Sequence, residues 1–173
     1  MPRQAGSRLS CQTLGLIVKI EVRRANPEDA ELVAAMAIAL TDEISASLRE
    51  KQFDLEIERT TELCRALLDE GRYVVLLASA GGAAAGFVGI SEARALYANG
   101  SLATMQEFYV EPSFRSRGVG ASLIEAAVRL STEKRWHRLE VCTPPLPEFE
   151  RSLAFYESNG FEVTGGRKLR RMT

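Results

Sequence analysis

Runs of β-branched and apolar residues alternate along this chain with stretches whose apolar positions recur three and four apart, and the switches mark the elements. Residues 16–23 (LIVKIEVR) are β-rich and predict a first strand. Asn26-Pro27-Glu28-Asp29 then reads as a helix start, with an Asn cap, Pro at the first helical position and acids in the first turn. That helix is expected to run to about Ile44, with Leu32, Ala35, Met36, Ala39 and Leu40 among its apolar residues at helical spacing. A second helix fits residues 54–70, with Ile57, Leu63, Ala66 and Leu67 inward and Gly71 as its C-cap.

Residues 73–79 (YVVLLAS) predict a buried strand, and Ala80-Gly81-Gly82-Ala83 a hairpin turn into a strand over 84–94. Asn99-Gly100 predicts the next turn, and residues 102–110 the next strand. A helix over 119–133, a strand over 138–143, the stiff loop PPLP and a helix over 149–158 follow. Residues 161–164 and 168–172 read as closing strands. An antiparallel meander thus meets a βαβ unit, which predicts an α+β fold with a mixed, mostly antiparallel central sheet flanked by helices.

The 173 residues suit one domain, placed here over 19–173, with no internal repeat or interdomain linker. Residues 1–18 are basic and then briefly apolar, broken by Gly15, and are expected to be a disordered extension. Net charge is -1, so bulk charge gives no strong nucleic-acid signal, and no stretch is long enough to span a bilayer. Cys11, Cys64 and Cys142 are odd in number and far apart, which argues against a disulfide framework and for a cytoplasmic location. His137 is the only histidine, so no metal site is expected.

The chemistry concentrates at one corner, where the apolar run ending at Val110 is broken by Pro112 and followed by Arg115-Ser116-Arg117-Gly118-Val119-Gly120 and a helix. A helix N-terminus offers unpaired N–H groups and partial positive charge, a natural phosphate site. Gly118 and Gly120 would let a phosphate reach the backbone, and Arg115 and Arg117 add charge; a plain turn with solvated arginines is the other reading. The corner lacks the Lys-Ser/Thr pair of a P-loop, and Leu123 stands where a dinucleotide fingerprint needs its third glycine.

That corner resembles the Q/R-x-x-G-x-G/A motif of the GNAT superfamily of N-acetyltransferases. The preceding QEFYVEP (residues 106–112) is similar to the family's EDLYVDP-type strand, and AFYESNGFE (154–162) to its FYEKLGFE-type block. The resemblance covers about residue 20 to the end and implies acetyl-CoA as co-substrate, held by a splayed parallel strand pair. It implies that backbone amides of Arg117, Gly118, Val119, Gly120, Ala121 and Ser122 hold the pyrophosphate, with Arg115 adding charge. By the same carry-over Val110 pairs with the pantetheine arm and the Phe108 N–H steadies the oxyanion. Tyr156 falls on the tyrosine that supplies a proton or hydrogen bond to the leaving sulfur, and Glu107 and Glu111 are the carboxylates nearest in sequence that could accept the amine's proton, Glu107 being the candidate base. Two positions depart from the pattern: Phe149 and Ser152 stand where many relatives have Asn and Ala.

The acceptor is expected to be a primary amine, on a small molecule or a protein, entering beside the first two helices. Their acidic surplus (Asp42, Glu43, Glu50, Asp54, Glu56, Glu58, Glu62) favours a cationic amine, though such residues also make an ordinary solvated face. The terminal Arg167, Lys168, Arg170 and Arg171 suit an acidic acceptor, CoA's phosphates or a second subunit in a homodimer. The rival reading is a non-catalytic acyl-CoA-binding regulatory or interaction module.

Overall fold

The computed structural model describes residues 18–164 and 169–171. One sheet carries five strands in the order β1 (Ile20–Arg24), β2 (Tyr73–Ala80), β3 (Ala83–Ala95), β4 (Gly100–Val110) and β5 (Leu139–Val141). The first four pair antiparallel with their sequence neighbours, and β5 lies parallel to β4. Helices α1 (Ala30–Leu48) and α2 (Ile57–Glu70) precede β2, α3 (Val119–Lys134) makes the crossover from β4 to β5, and α4 (Glu150–Ser158) follows. The mixed, mostly antiparallel sheet flanked by helices is the expected architecture.

The cap at Asn26 forms as its residues predict. The Asn26 side chain accepts from the Glu28 N–H and Asp29 accepts from the Asn26 N–H, each at 2.9 Å. Pro27–Asp29 is a single 3-10 turn, and α1 runs beyond residue 44 to Leu48, ending where Arg49 takes a φ of 53°. The sheet is covered on both faces. Ala30, Val33 and Met36 of α1 and Cys64 of α2 pack on Val75, Leu77, Phe87 and Tyr109. On the other face Val119, Leu123, Ile124 and Ala127 of α3, with Tyr156 of α4, pack on Leu76, Val88, Ile90, Ala103 and Met105.

Several boundaries differ from the sequence reading. β1 begins at Ile20, and residues 16 and 17 of its expected range lie outside the described residues, as does the extension up to residue 17. α2 starts at Ile57 instead of 54, after Glu56 in an extended conformation, and Asp54 pairs with Lys51 at 2.5 Å in the connecting loop. β5 is shorter than 138–143. Residues 161–164, expected as a strand, are irregular. The cause lies at the end of α4: the Phe161 N–H bonds the Tyr156 carbonyl and the Gly160 N–H the Glu157 carbonyl, both at 3.1 Å, with Gly160 at a φ of 85°. This Schellman closure turns Phe161 back onto Tyr156 and away from a strand path. Residues 169–171 are also irregular, and the rest of the expected strand over 168–172 lies outside the described residues, as does Arg167. No described helix is long and apolar enough to cross a membrane.

Candidate active site

The site is organised by one extra residue in β4. Glu107 pairs with Gly89 but Met105 pairs with Ile90, so Gln106 is unmatched and forms a β-bulge. The bulge reverses which residues face which way. Before it Ala103 and Met105 face α3; after it Phe108 and Val110 do, while Glu107 and Tyr109 turn toward α1 and α2. The same reversal governs the backbone. The Ala103 N–H bonds the Arg138 carbonyl at 2.9 Å, and the parallel ladder with β5 spans Ala103 to Met105. Beyond the bulge the Tyr109 carbonyl points at Gly86 on β3. By strand alternation the N–H and C=O groups of Phe108 and Val110 therefore point the opposite way, into the gap past the end of β5. The ladder between the two strands ends at Met105 and Val141.

At the end of that gap stands the corner. Ser116 and Gly118 take left-handed φ values of 58° and 87°, which turn the chain sharply into α3 with Gly118 as its cap. Glycine is needed at 118 for this backbone. Gly120 has a different reason. A Cβ there would lie 2.9 Å and 3.2 Å from ring atoms of Phe155 and 3.8 Å from Phe108, so this glycine lets α4 close onto the start of α3. The first N–H groups of α3 have no intrahelical acceptor, and no side chain caps them. Arg117 lies beside Val119, Phe114 and Ile20 at this start.

Arg115 does not project at that helix end. Its terminal nitrogens make a bidentate pair with Glu43 of α1, both at 2.6 Å. Its Nε–H donates to the Val110 carbonyl at 2.9 Å, and its guanidinium lies 5.7 Å from the Tyr109 ring centre. Hydrogen bonding to Glu43 raises its pKa above the usual arginine value.

Tyr156 is 8% exposed and sits in an aromatic cluster, with ring centres 5.8 Å from Phe108, 5.5 Å from Phe155 and 5.6 Å from Phe161. Burial pushes its pKa up, so the phenol remains a proton carrier at neutral pH. The structure thus brings Phe108, Val110, Gly120 and Tyr156 together on the α3–α4 face. Glu107 is on the opposite face, where its carboxylate reaches over Gly89 to accept a hydrogen bond from Tyr73 of β2. Sequence reasoning missed Tyr73 and Phe155 as parts of this region, and read Glu43 as one of the acceptor-side acids and not as the partner of Arg115. The signal for Tyr73 was Gly89, a glycine inside a strand, which marks a close approach.

A family model described as an acetyltransferase (GNAT) domain matches residues 69–163. No curated protein matches the sequence. Among solved structures, the aminoglycoside N-acetyltransferase AAC(6')-Iy in complex with CoA is similar at 24% identity and a TM-score of 0.73, over 90% of this chain and 95% of that one. A ribosomal-protein-alanine N-acetyltransferase from Brucella melitensis biovar Abortus 2308 is similar at 18% identity and a TM-score of 0.68, over 89% of this chain and all (100%) of the other. An integron cassette protein from the mobile metagenome of Cole Harbour Salt Marsh is similar at 20% identity and a TM-score of 0.72, over 87% and 89%. At these identities the structures speak for the fold, and the family match covers more than half the chain: the protein belongs to the GNAT family of acetyltransferases.

Proposed function

We propose that this chain transfers an acetyl group from acetyl-CoA to a primary amine by direct attack in a ternary complex. The observation that carries the reading is the open edge of β4 past Met105, bounded by the start of α3 and by Tyr156. A thioester arm laid along that edge would pair with the backbone of Val110 and bring its carbonyl to the Phe108 N–H. The N–H groups from Arg117 through Ala121, with the Arg117 side chain, would take the pyrophosphate, while the Ser122 N–H already bonds the Gly118 carbonyl at 3.0 Å. Arg115 contributes indirectly, since its Nε–H already holds the Val110 carbonyl.

In the reaction the amine nitrogen bonds the acetyl carbon, the C–S bond breaks and CoA leaves as a thiol. An alkyl ammonium must first lose a proton, a deficit of roughly 4 kcal/mol at neutral pH. Glu107 is the carboxylate assigned to it, acting through water from the α1–α2 face, and Tyr156 gives a proton or hydrogen bond to the departing sulfur. Similarity to enzymes that act on aminoglycosides and on a ribosomal protein's alanine makes both kinds of amine fair acceptors.

The test is thiol release from acetyl-CoA over a panel of an aminoglycoside, a polyamine and an alanine-terminated peptide. Turnover on any of them supports the reading. Protection of the fold by acetyl-CoA with no turnover leaves a CoA-binding module. Tyr156→Phe should lower kcat about tenfold and leave CoA affinity within about twofold, because only the hydroxyl is lost and a thiolate can leave without full protonation. Unchanged kcat, with chemistry shown to be rate-limiting, removes Tyr156 from the mechanism.

A further inference from the structure

Glu107 and Tyr73 sit on different strands with β3 between them. They meet because Gly89, the residue paired with Glu107, has no side chain. A Cβ on Gly89 would fall on the Tyr73 hydroxyl and 2.6 Å from the Glu107 Oε2. Three separate features build this contact: the bulge at Gln106 turns Glu107 to the α1–α2 face, Gly89 opens the space, and Tyr73 fills it from β2 with its hydroxyl on the carboxylate. Both residues keep partial exposure.

We propose that Tyr73 is the positioning residue for Glu107, fixing the carboxylate on the acceptor side of β4 so that it takes up the incoming amine's proton through water. This rests on the acetyltransferase reading above. A carboxyl group on a strand otherwise has several rotamers, and holding one of them converts a chance encounter with the amine's proton into a standing arrangement. The hydroxyl donates to the carboxylate and favours its charged, proton-accepting form. Burial first, and then the neighbouring Glu107 charge, push the Tyr73 pKa far above that of a free phenol, so it stays a donor across the working range. Cys64 of α2 also acts on the pair; burial first, and then the Glu107 charge, raise its pKa, with Arg65 opposing and Asp29 adding to the rise. The proton passes from the ammonium to water and to Glu107, and from there to solvent, so no oxidant or further reactant is needed.

Tyr73→Phe keeps the ring and its packing and removes one hydroxyl. On whichever panel amine the parent acetylates, it should lower kcat/KM about tenfold, leave CoA affinity unchanged, and move the acid limb of the pH–rate profile to higher pH. In a Glu107→Gln background the same change should have almost no further effect, because Tyr73 acts through Glu107. Thermal unfolding of each variant separates these outcomes from loss of fold. An unmoved acid limb, or full additivity of the two changes, overturns the proposal while the acetyltransferase reading stands. A parent that binds acetyl-CoA and acetylates no amine overturns both.

Discussion

Gly120→Val should lower CoA affinity at least about a hundredfold and reduce the stability of the free protein by about 1–3 kcal/mol. The two effects share one cause. Even the first carbon of the new side chain would meet the Phe155 ring at 2.9 Å, and the valine methyls reach further. Phe155 must then leave the junction where it packs on Phe108, 5.7 Å between ring centres, and on Tyr156. In the proposed binding mode the same displacement disturbs the first turn of α3, where two or three charge-assisted hydrogen bonds to a pyrophosphate would be lost. Gly120 lies inside α3 and is not among the left-handed residues, so backbone strain does not confound the result. Replacing glycine in a helix even offsets part of the packing loss, by about 0.5–1 kcal/mol for Gly120→Ala. Calorimetric CoA titration beside thermal unfolding makes the measurement. Parent-like affinity in the valine variant would leave the corner as a turn and remove the main support for the binding mode.

The second large effect belongs to Gly86→Ala, expected to cost about 2–4 kcal/mol and to lower the melting temperature by about 5–15 °C. A Cβ at this position would drive into the Tyr109 carbonyl oxygen and stand 3.1 Å from the Val110 Cα. These are backbone atoms of the neighbouring strand, with no flexible end to give way. Gly86 pairs with Val110, so relief requires β3 and β4 to separate at the end of β4 that carries Phe108 and Val110. Denaturant unfolding compared with the parent is the check, and a stability loss under about 0.5 kcal/mol would contradict this close approach.

What the sequence disclosed was mostly what is local. The cap at Asn26, the turn into α3 at Gly118 and the position of Tyr156 on α4 each depend on residues a few places apart, and each formed as read, whereas Arg115 turned to Glu43 and Gly120 to Phe155. The face of Glu107 could not be read, because period-two alternation fixes side-chain direction only when the strand is regular, and the bulge at Gln106 has no composition of its own. The partner of Arg115 was hidden for a different reason: Glu43 lies 72 residues away, and no local rule joins a helix acid to a loop base at that separation. Residues 161–164 alternate like a strand, but the pattern is silent about whether a hydrogen-bonding edge is within reach, and the closure of α4 at Gly160 took Phe161 first.

The bulge also makes β4 sensitive to register in a way its composition does not show. Drawing Gln106 into a regular ladder would leave composition and charge untouched and still exchange the two sides of the strand from Glu107 onward. The carboxylate of Glu107 would move in among the rings beside Tyr156, and Phe108 would face Tyr73. A one-residue slip of register here is therefore a swap of inventories between two compartments, in the proposed mechanism one for the thioester and one for the amine. The single unpaired residue is what keeps those two chemistries on separate sides of one strand while holding them a residue apart.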